Sequence, residues 1–341
     1  MTNDIPAFTS VTLLTGFLGS GKTTLLRRLL SDPSLADTAV LINELGEIGL
    51  DHHLLERIDE RTVLLQSGCL CCTVRGELAD AVKDLHSRRA RGVIPGFRRL
   101  VIETTGLADP FPVLTTFHAD PVLKHHYRVG CIVTAVDAVN AIRTLTTFPE
   151  NVKQVAVADI IVLTKRDLAA ADVARSAMRR VRAINPDARV LHGDDDDLAG
   201  LLTGAAVSHR SADSERWIAE ELGAAGAARE GGGHDRGVLA FALTFDRPLD
   251  WTAFGLWLTM LLHRHGAAVL RMKGILNVAG EAAPVAVHGV QHLVHAPTHM
   301  RAWPDADRRS RIVFIVRDLD PADIERSLAV FRGLDQAAAL A

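Results

Sequence analysis

Gly16-Phe-Leu-Gly-Ser-Gly-Lys-Thr23 brings three glycines, one lysine and two hydroxyls into a single short stretch. Gly16, Gly19 and Gly21 let a backbone curl until its N–H groups point inward at phosphate oxygens. Lys22 adds a point charge for the β- and γ-phosphates, and Thr23 a hydroxyl for Mg²⁺. Ser20 and Thr24 add donors at the same place. The apolar run Val11–Thr15 predicts a strand before this loop, and Thr23–Leu30 a helix after it. That helix turns its positive N-terminal end toward an anion. A glycine-rich turn that binds nothing needs neither flank.

Two later motifs fit the same chemistry. Leu100-Val-Ile-Glu103 is an apolar strand ending on a carboxylate, followed by Thr-Thr-Gly106. Glu103 there can organise Mg²⁺ or its water shell, and the Gly106 N–H can meet a γ-phosphate. The strand Ile160–Leu163 opens into Thr164-Lys165-Arg-Asp167, one residue away from the Asn-Lys-x-Asp guanine signature. Asp167 can accept from the guanine ring N–H and its exocyclic amine, and the Lys165 stem can lie over the base. The spacing therefore predicts GTP over ATP. Leu107 holds the position where a water-orienting glutamine usually follows the glycine, which predicts slow hydrolysis. Asp109 or Glu47 could orient the water instead. The candidate catalytic residues are Lys22, Glu103 and Asp109.

Cys69, Cys71 and Cys72 fall within four residues beside Gly68, after the strand Val63–Gln66. Such close thiols make no disulfide framework. They suit a borderline or soft ion, above all Zn²⁺ or Cu(I). A fourth ligand has to come from elsewhere, and Glu44 and Glu47 are candidates, with His52 and His53 nearby. Thiols that only pack, or that form a redox pair, are the rival readings. The cluster lies between the phosphate loop and Glu103. In P-loop GTPases that interval orders around the γ-phosphate and loosens after hydrolysis. A metal site there would be linked reciprocally to the nucleotide.

Alternating strands and helices must position these groups. Val11–Thr15, Ala39–Ile42, Val63–Gln66, Leu100–Glu103, Cys131–Asp137, Ile160–Leu163 and Arg189–Leu191 read as strands, with helices over Thr23–Leu30, Glu77–Arg88 and Ala171–Ala183. This predicts an α/β fold, a P-loop NTPase domain with a mainly parallel sheet, over residues 1–210. A Gly/Ala-rich linker at 211–237 leads to a smaller α+β domain at 238–341. Its expected elements are strand Val238–Phe245, helix Trp251–His265, strands Leu270–Val278, Pro284–His295 and Ile312–Arg317, and helix Ala322–Arg332.

The chain has 341 residues, 48% hydrophobic and 23% charged, with a formal net charge of −3. That is ordinary globular composition and excludes a fibrous or disordered chain. No global basic field exists to hold nucleic acid or an anionic membrane. No apolar run approaches a membrane span, and the N-terminus has no secretory signal pattern. A cytoplasmic location is expected.

Together these motifs resemble the CobW-type GTPases, metallochaperone-like proteins related to the nickel-insertion GTPases of urease and hydrogenase maturation. Gly16–Thr23, Asn43–Glu47, Gly68–Cys72, Glu103–Asp109 and Thr164–Asp167 carry the resemblance. Arg271–Gly274 and Arg311–Asp318 extend it into the C-terminal domain. The resemblance implies GTP/GDP with Mg²⁺, slow hydrolysis, and Zn²⁺ (or a relative such as Co²⁺) at Cys69, Cys71 and Cys72. It also implies delivery to a client metalloprotein, and leaves a homodimer open. The 15 histidines are scattered rather than in a tract, so bulk metal storage is not expected. A P-loop kinase or ATPase with incidental thiols, and a regulator gated by GTP and metal without turnover, are the alternatives.

Two weaker signals stand apart. As one strand, His288 and His292 would share a face and His295 and His299 the other. Strand-surface or client-docking histidines are the preferred reading over a metal site. Asp194–Asp197 reads as a solvated loop, and His263 and His265 as dipole partners at a helix end.

Overall fold

The computed structural model describes residues 8–42, 75–193 and 237–338. Glu44, Glu47, His52, His53, the Val63–Gln66 strand, Cys69, Cys71, Cys72 and Asp194–Asp197 lie outside the described residues. Chain contacts divide into two units, one within residues 1–209 but lacking 181–187, the other comprising 181–187 and the chain from 210 onward.

The first unit is built on near-continuous apolar strands, the pattern of strands buried on both faces. They are β1 (Thr9–Gly16), β2 (Thr38–Ile42), β3 (Arg99–Glu103), β4 (Tyr127–Asp137), β5 (Ile160–Thr164) and β6 (Arg189–His192). All pair in parallel, in the order β2-β3-β1-β4-β5-β6. The helices between them are α1 (Lys22–Leu30), α2 (Arg75–Ala90), α3 (Phe111–Ala119), α4 (Pro121–His126), α5 (Ala141–Thr147), α6 (Pro149–Val157) and α7 (Ala171–Ile184). The expected strands that are described sit where the sequence puts them, within a few residues.

α3 to α6 are the elements the sequence reading did not specify. They are short, and each begins at or beside a proline or an Asx residue. Asp120 caps α4 by accepting from the N–H groups of Val122 (2.9 Å) and Leu123 (3.1 Å). Such a cap typically contributes about 1 kcal/mol. The core beside α1 joins Leu25, Leu26 and Leu29 to Leu14, Val40, Val101, Val133 and Val162. It fixes the helix that follows the phosphate loop.

The second unit is an antiparallel sheet, with β7 (Val238–Phe245), β8 (Val269–Leu276), β9 (Val285–Val290), β10 (Leu293–Val294), β11 (Thr298–His299) and β12 (Ser310–Arg317). The order is β10-β9-β8-β12-β7, with β11 also pairing β9. α8 (Trp251–His265) and α9 (Pro321–Ala338) pack together. Trp257, buried at 1% exposure, donates its indole N–H to Ser327 Oγ at 2.9 Å. The α+β expectation therefore holds.

One expectation in this unit is corrected. The run 284–295 is not one strand but β9 and β10 joined by a tight turn, with Gln291 at φ 51°. His288 and His295 consequently face each other across the hairpin, rings stacked with centroids 4.5 Å apart. His292 lies in the turn, its Nδ1 2.9 Å from the Leu262 carbonyl. His299 lies 3.7 Å from Glu281. The predicted sharing of faces fails because the chain reverses, with Gly289 close against the returning Leu293 carbonyl. Among the described residues no group of three or more His, Cys, Asp or Glu is arranged to hold a metal. No described helix is long and apolar enough to cross a membrane.

Candidate functional site

In a parallel sheet of this order, ligands bind beyond the C-terminal strand ends, where connections from neighbouring strands diverge. β1 is such a strand, flanked by β3 and β4. Three of the motif groups and one further carboxylate stand at that one edge. β1 runs into the phosphate loop, β3 ends at Glu103, β4 at Asp137 and β5 at Thr164.

The loop leaves β1 at Gly16, whose φ is 139°. A Cβ there would lie 2.3 Å from the Ala135 carbonyl oxygen on β4, so only glycine fits. Lys22 is folded over the loop and donates to the carbonyls of Gly16 (3.0 Å) and Phe17 (3.3 Å). Thr23 donates from Oγ1 to Glu103 Oε1 at 2.9 Å. The sequence pair expected to organise Mg²⁺ is thus already in contact, with lone pairs on the Thr23 oxygen to spare. Ser20 Oγ and Thr105 Oγ1 are buried without a hydrogen-bond partner among the described residues. A buried hydroxyl left unsatisfied costs about 1–3 kcal/mol. Phosphate oxygens at this edge would supply the missing acceptors, so the residues present fit a nucleoside triphosphate and its Mg²⁺.

The Thr164–Asp167 motif, expected to read the base, is tied to the same loop. Thr164, which stands where an asparagine is usual, donates from Oγ1 to the Ser20 carbonyl at 2.6 Å. A hydroxyl serves for this bond, and the departure from the signature leaves the loop anchored. Lys165, at φ 56°, donates to the Gly19 carbonyl (2.6 Å) and to Asp137 Oδ2 (2.9 Å). Asp167 is exposed in the short turn Arg166–Leu168, open to a ligand.

Asp137 is a site residue that the sequence reading missed. Its Oδ1 accepts from the Val139 N–H at 2.8 Å, and its Oδ2 from the Asn140 amide at 2.9 Å as well as from Lys165. Burial raises the carboxyl pKa, but the Asn140 amide, the Lys165 ammonium and the Val139 N–H outweigh it and hold it below the ordinary carboxylate value. The sequence signal was present, an apolar strand followed by Asp-Ala-Val-Asn, an Asx-turn pattern.

Beyond β3, Thr104 Oγ1 donates to Thr15 Oγ1 at 2.9 Å and the Thr104 N–H to the Leu14 carbonyl at 2.9 Å. Asp109 Oδ1 accepts from the Phe111 N–H at 3.0 Å and starts α3. Its Oδ2 pairs with Lys153 at 3.0 Å. Leu107 is 44% exposed at the place where other GTPases carry a glutamine.

Residues 10–192 match the family described as CobW/HypB/UreG, nucleotide-binding domain. Residues 238–332 match the cobalamin synthesis protein cobW C-terminal domain. Among curated proteins, the zinc chaperone YjiA of Escherichia coli (strain K12) is 35% identical over 330 residues, 95% of this chain and 98% of that protein. The zinc-regulated GTPase metalloprotein activator 1 of Schizosaccharomyces pombe is 34% identical over 217 residues, 61% of this chain and 52% of that protein. Among solved structures, the Zn(II)-bound YjiA GTPase from E. coli superposes with a TM-score of 0.72 at 31% identity, covering 95% of this chain and 99% of that one.

Proposed function

The chain belongs to the CobW/HypB/UreG family of P-loop GTPases, and on that footing we propose that it carries zinc under the control of GTP. In this reading the ion binds Cys69, Cys71 and Cys72, with Glu44 or Glu47 completing the set, and passes to a client metalloprotein in the cytoplasm. One observation supports the coupling of metal to nucleotide. Ile42, the last residue of β2, lies opposite Glu103 in the sheet register. The segment that bears the thiols begins at the next residue, tethered to the edge where the phosphate motifs stand.

The proposed roles follow from the contacts. Gly16, Gly19, Ser20 and Gly21 wrap the phosphates, with Thr24 at the helix start. Lys22 leaves its two loop carbonyls for the β- and γ-phosphates. Thr23 and Glu103 hold Mg²⁺, which when bound neutralises charge on the transferring group. Thr164 and Lys165 brace the base site, and Asp167 reads guanine. Water adds to the γ-phosphorus, and the bond to the β–γ bridging oxygen breaks with its electron pair retained by GDP. Gly106 offers its N–H to the γ-phosphate. Asp109 keeps lone pairs beside Lys153 with which to orient the water. With Leu107 in place of a glutamine, turnover is slow. Leu107 also favours a second reading, a metal- and nucleotide-gated regulator with negligible turnover.

Zinc titration of the full chain with GTP, with GDP and without nucleotide tests the proposal. A Cys69→Ser, Cys71→Ser, Cys72→Ser triple variant runs alongside. The expected result is an affinity that differs between nucleotide states by a factor of about 5–150, the usual range of a coupling energy, and that is lost in the triple variant. Equal zinc affinity in all three states rejects the coupling. Unchanged zinc affinity in the triple variant rejects the site.

A further inference from the structure

α6 meets both loops that surround the triphosphate position. At its start, Phe148 packs on Phe17 of the phosphate loop, with ring centroids 4.5 Å apart. Further along, Lys153 pairs with Asp109 at 3.0 Å. Gln154, at 0% exposure, donates its amide Nε2 to the carbonyls of Gly106 (3.2 Å) and Ala108 (3.0 Å). Two carbonyls facing one end of the amide fix which end is nitrogen. Its Oε1 is buried with no hydrogen-bond partner among the described residues. The backbone carbonyl of the same residue accepts from Thr134 Oγ1 of β4 at 2.8 Å, which fastens the helix to the sheet.

Gly106 is confined from the opposite side. A Cβ on it would lie 2.6 Å from the backbone nitrogen of Leu18 in the phosphate loop. Its peptide is held between that loop and the Gln154 amide. The side chain that follows it, Leu107, is apolar and exposed, so it neither holds the loop nor orients a water. The near end of this loop is held through its backbone carbonyls, and Gln154 is the side chain that grips two of them. A residue kept only for packing would fill the same space with methylene groups and leave no buried oxygen unpaired.

We propose that Gln154 is a positioning residue for GTP hydrolysis, setting the Gly106–Ala108 backbone so that the Gly106 N–H addresses the γ-phosphate in the transition state. Lys153 secures the far end of the same loop through Asp109. The proposal deepens the reading of residues 103–109 as the γ-phosphate loop, and it rests on that reading. Gln154 touches no reacting atom. Its effect should therefore appear in the rate of the chemical step and not in the binding of GDP, which has no γ-phosphate.

Gln154→Met keeps length and bulk and removes both donors. We expect a fall in kcat for GTP of about 10- to 100-fold, the cost of a small misplacement at a reacting centre. KM for GTP and the Kd for GDP should stay within about twofold, since uniform binding is untouched. Lys153→Met, where the side chain is 29% exposed, should lower kcat in the same sense but less. Thermal melting runs alongside to separate loss of fold from loss of rate. Unchanged kcat in Gln154→Met overturns the proposal. So does a fall in kcat matched by an equal loss of GDP affinity and of melting temperature, which marks a purely structural glutamine. An absence of turnover in the unsubstituted chain strikes at the hydrolysis reading instead. In that case the ratio of affinities for a non-hydrolysable GTP analogue and GDP decides: a ratio unaltered by Gln154→Met overturns the proposal, and a lowered ratio supports it.

Discussion

Asp137→Asn tests whether the base site and the phosphate loop are held as one unit. The substitution leaves an oxygen to accept from the Val139 N–H and removes the charge that meets Lys165 at 2.9 Å. A charge-assisted hydrogen bond contributes about 1.5–3 kcal/mol in isolation. Lys165 is 36% exposed against 10% for Asp137, so solvent screens much of it. That leaves about 1 kcal/mol, or roughly a fivefold weakening of GDP binding if all of it bears on the orientation of Lys165. Asp137→Ala loses the turn at Val139 and Asn140 as well, a further cost of about 1 kcal/mol, which lowers Tm by about 2–4 °C more in a unit of this size. Titration with a fluorescent GDP analogue and thermal melting read the two effects. The double variant Asp137→Asn, Lys165→Met should cost less than the sum of the single variants, because the same bond is broken in both. GDP affinity unchanged in Asp137→Asn would refute the reasoning, since Lys165 would then be held by the Gly19 carbonyl alone. Equal Tm in the Asn and Ala variants would refute the part assigned to the turn.

Leu26→Ala removes a side chain at 0% exposure from the core that seats α1 behind the phosphate loop. Urea unfolding should show a loss of about 2–5 kcal/mol, and a loss below about 1 kcal/mol would mean that this core collapses around the gap. Acidification should weaken the first unit through His86. Burial, then the nearby His126 ring and Arg89, hold its pKa below the ordinary 6.5. A depressed histidine favours the neutral form in the fold, so its contribution is full above about pH 6.5 and declines as pH falls through the lowered value. The drop in Tm from pH 7.5 to 5.5 should be smaller in His86→Gln than in the unsubstituted chain, and an equal drop would assign the acid sensitivity elsewhere.

The parts legible in the sequence are those whose chemistry is local. The phosphate loop declares itself because one turn of backbone must supply glycines, a lysine and a hydroxyl in fixed order, and Gly16 against Ala135 shows how little else would fit. Long apolar strands declared the parallel sheet for a similar reason, since burial on both faces leaves no alternation. The illegible parts are those made by strand order. Asp137 meets Lys165 only because β4 and β5 are neighbours, and a carboxylate at a strand end looks alike whether it binds solvent or a lysine. Gln154 reaches Gly106 from a helix that carries two buried amides, Asn151 and Gln154, among its valines, and nothing local distinguishes the one that crosses to another loop. The β9–β10 turn hid for the opposite reason, since Gln291 adopts a positive φ with none of the residues that favour it.

The contacts at this edge divide the site into two kinds of support. On the β4–β5 side, Lys165 binds Asp137 and the Gly19 carbonyl, Thr164 binds the Ser20 carbonyl, and none of these bonds needs a phosphate. That side should keep its form with GTP, with GDP or with neither. On the β3 side, Lys22 is satisfied by its own loop, Ser20 Oγ and Thr105 Oγ1 lack partners among the described residues, and beyond the Thr104 bonds to β1 the path is held from other elements by one buried amide and one partly buried ion pair. Charge on a γ-phosphate would draw Lys22 away and satisfy those hydroxyls, so a change on hydrolysis is expected first on this side. β2, from which the thiol-bearing segment departs, is the strand paired with β3. If metal affinity follows the nucleotide, this division of contacts favours a signal running from Glu103 to Ile42 over one through the base site. Asp137→Asn should therefore weaken GDP binding while leaving the ratio of zinc affinities between nucleotide states intact.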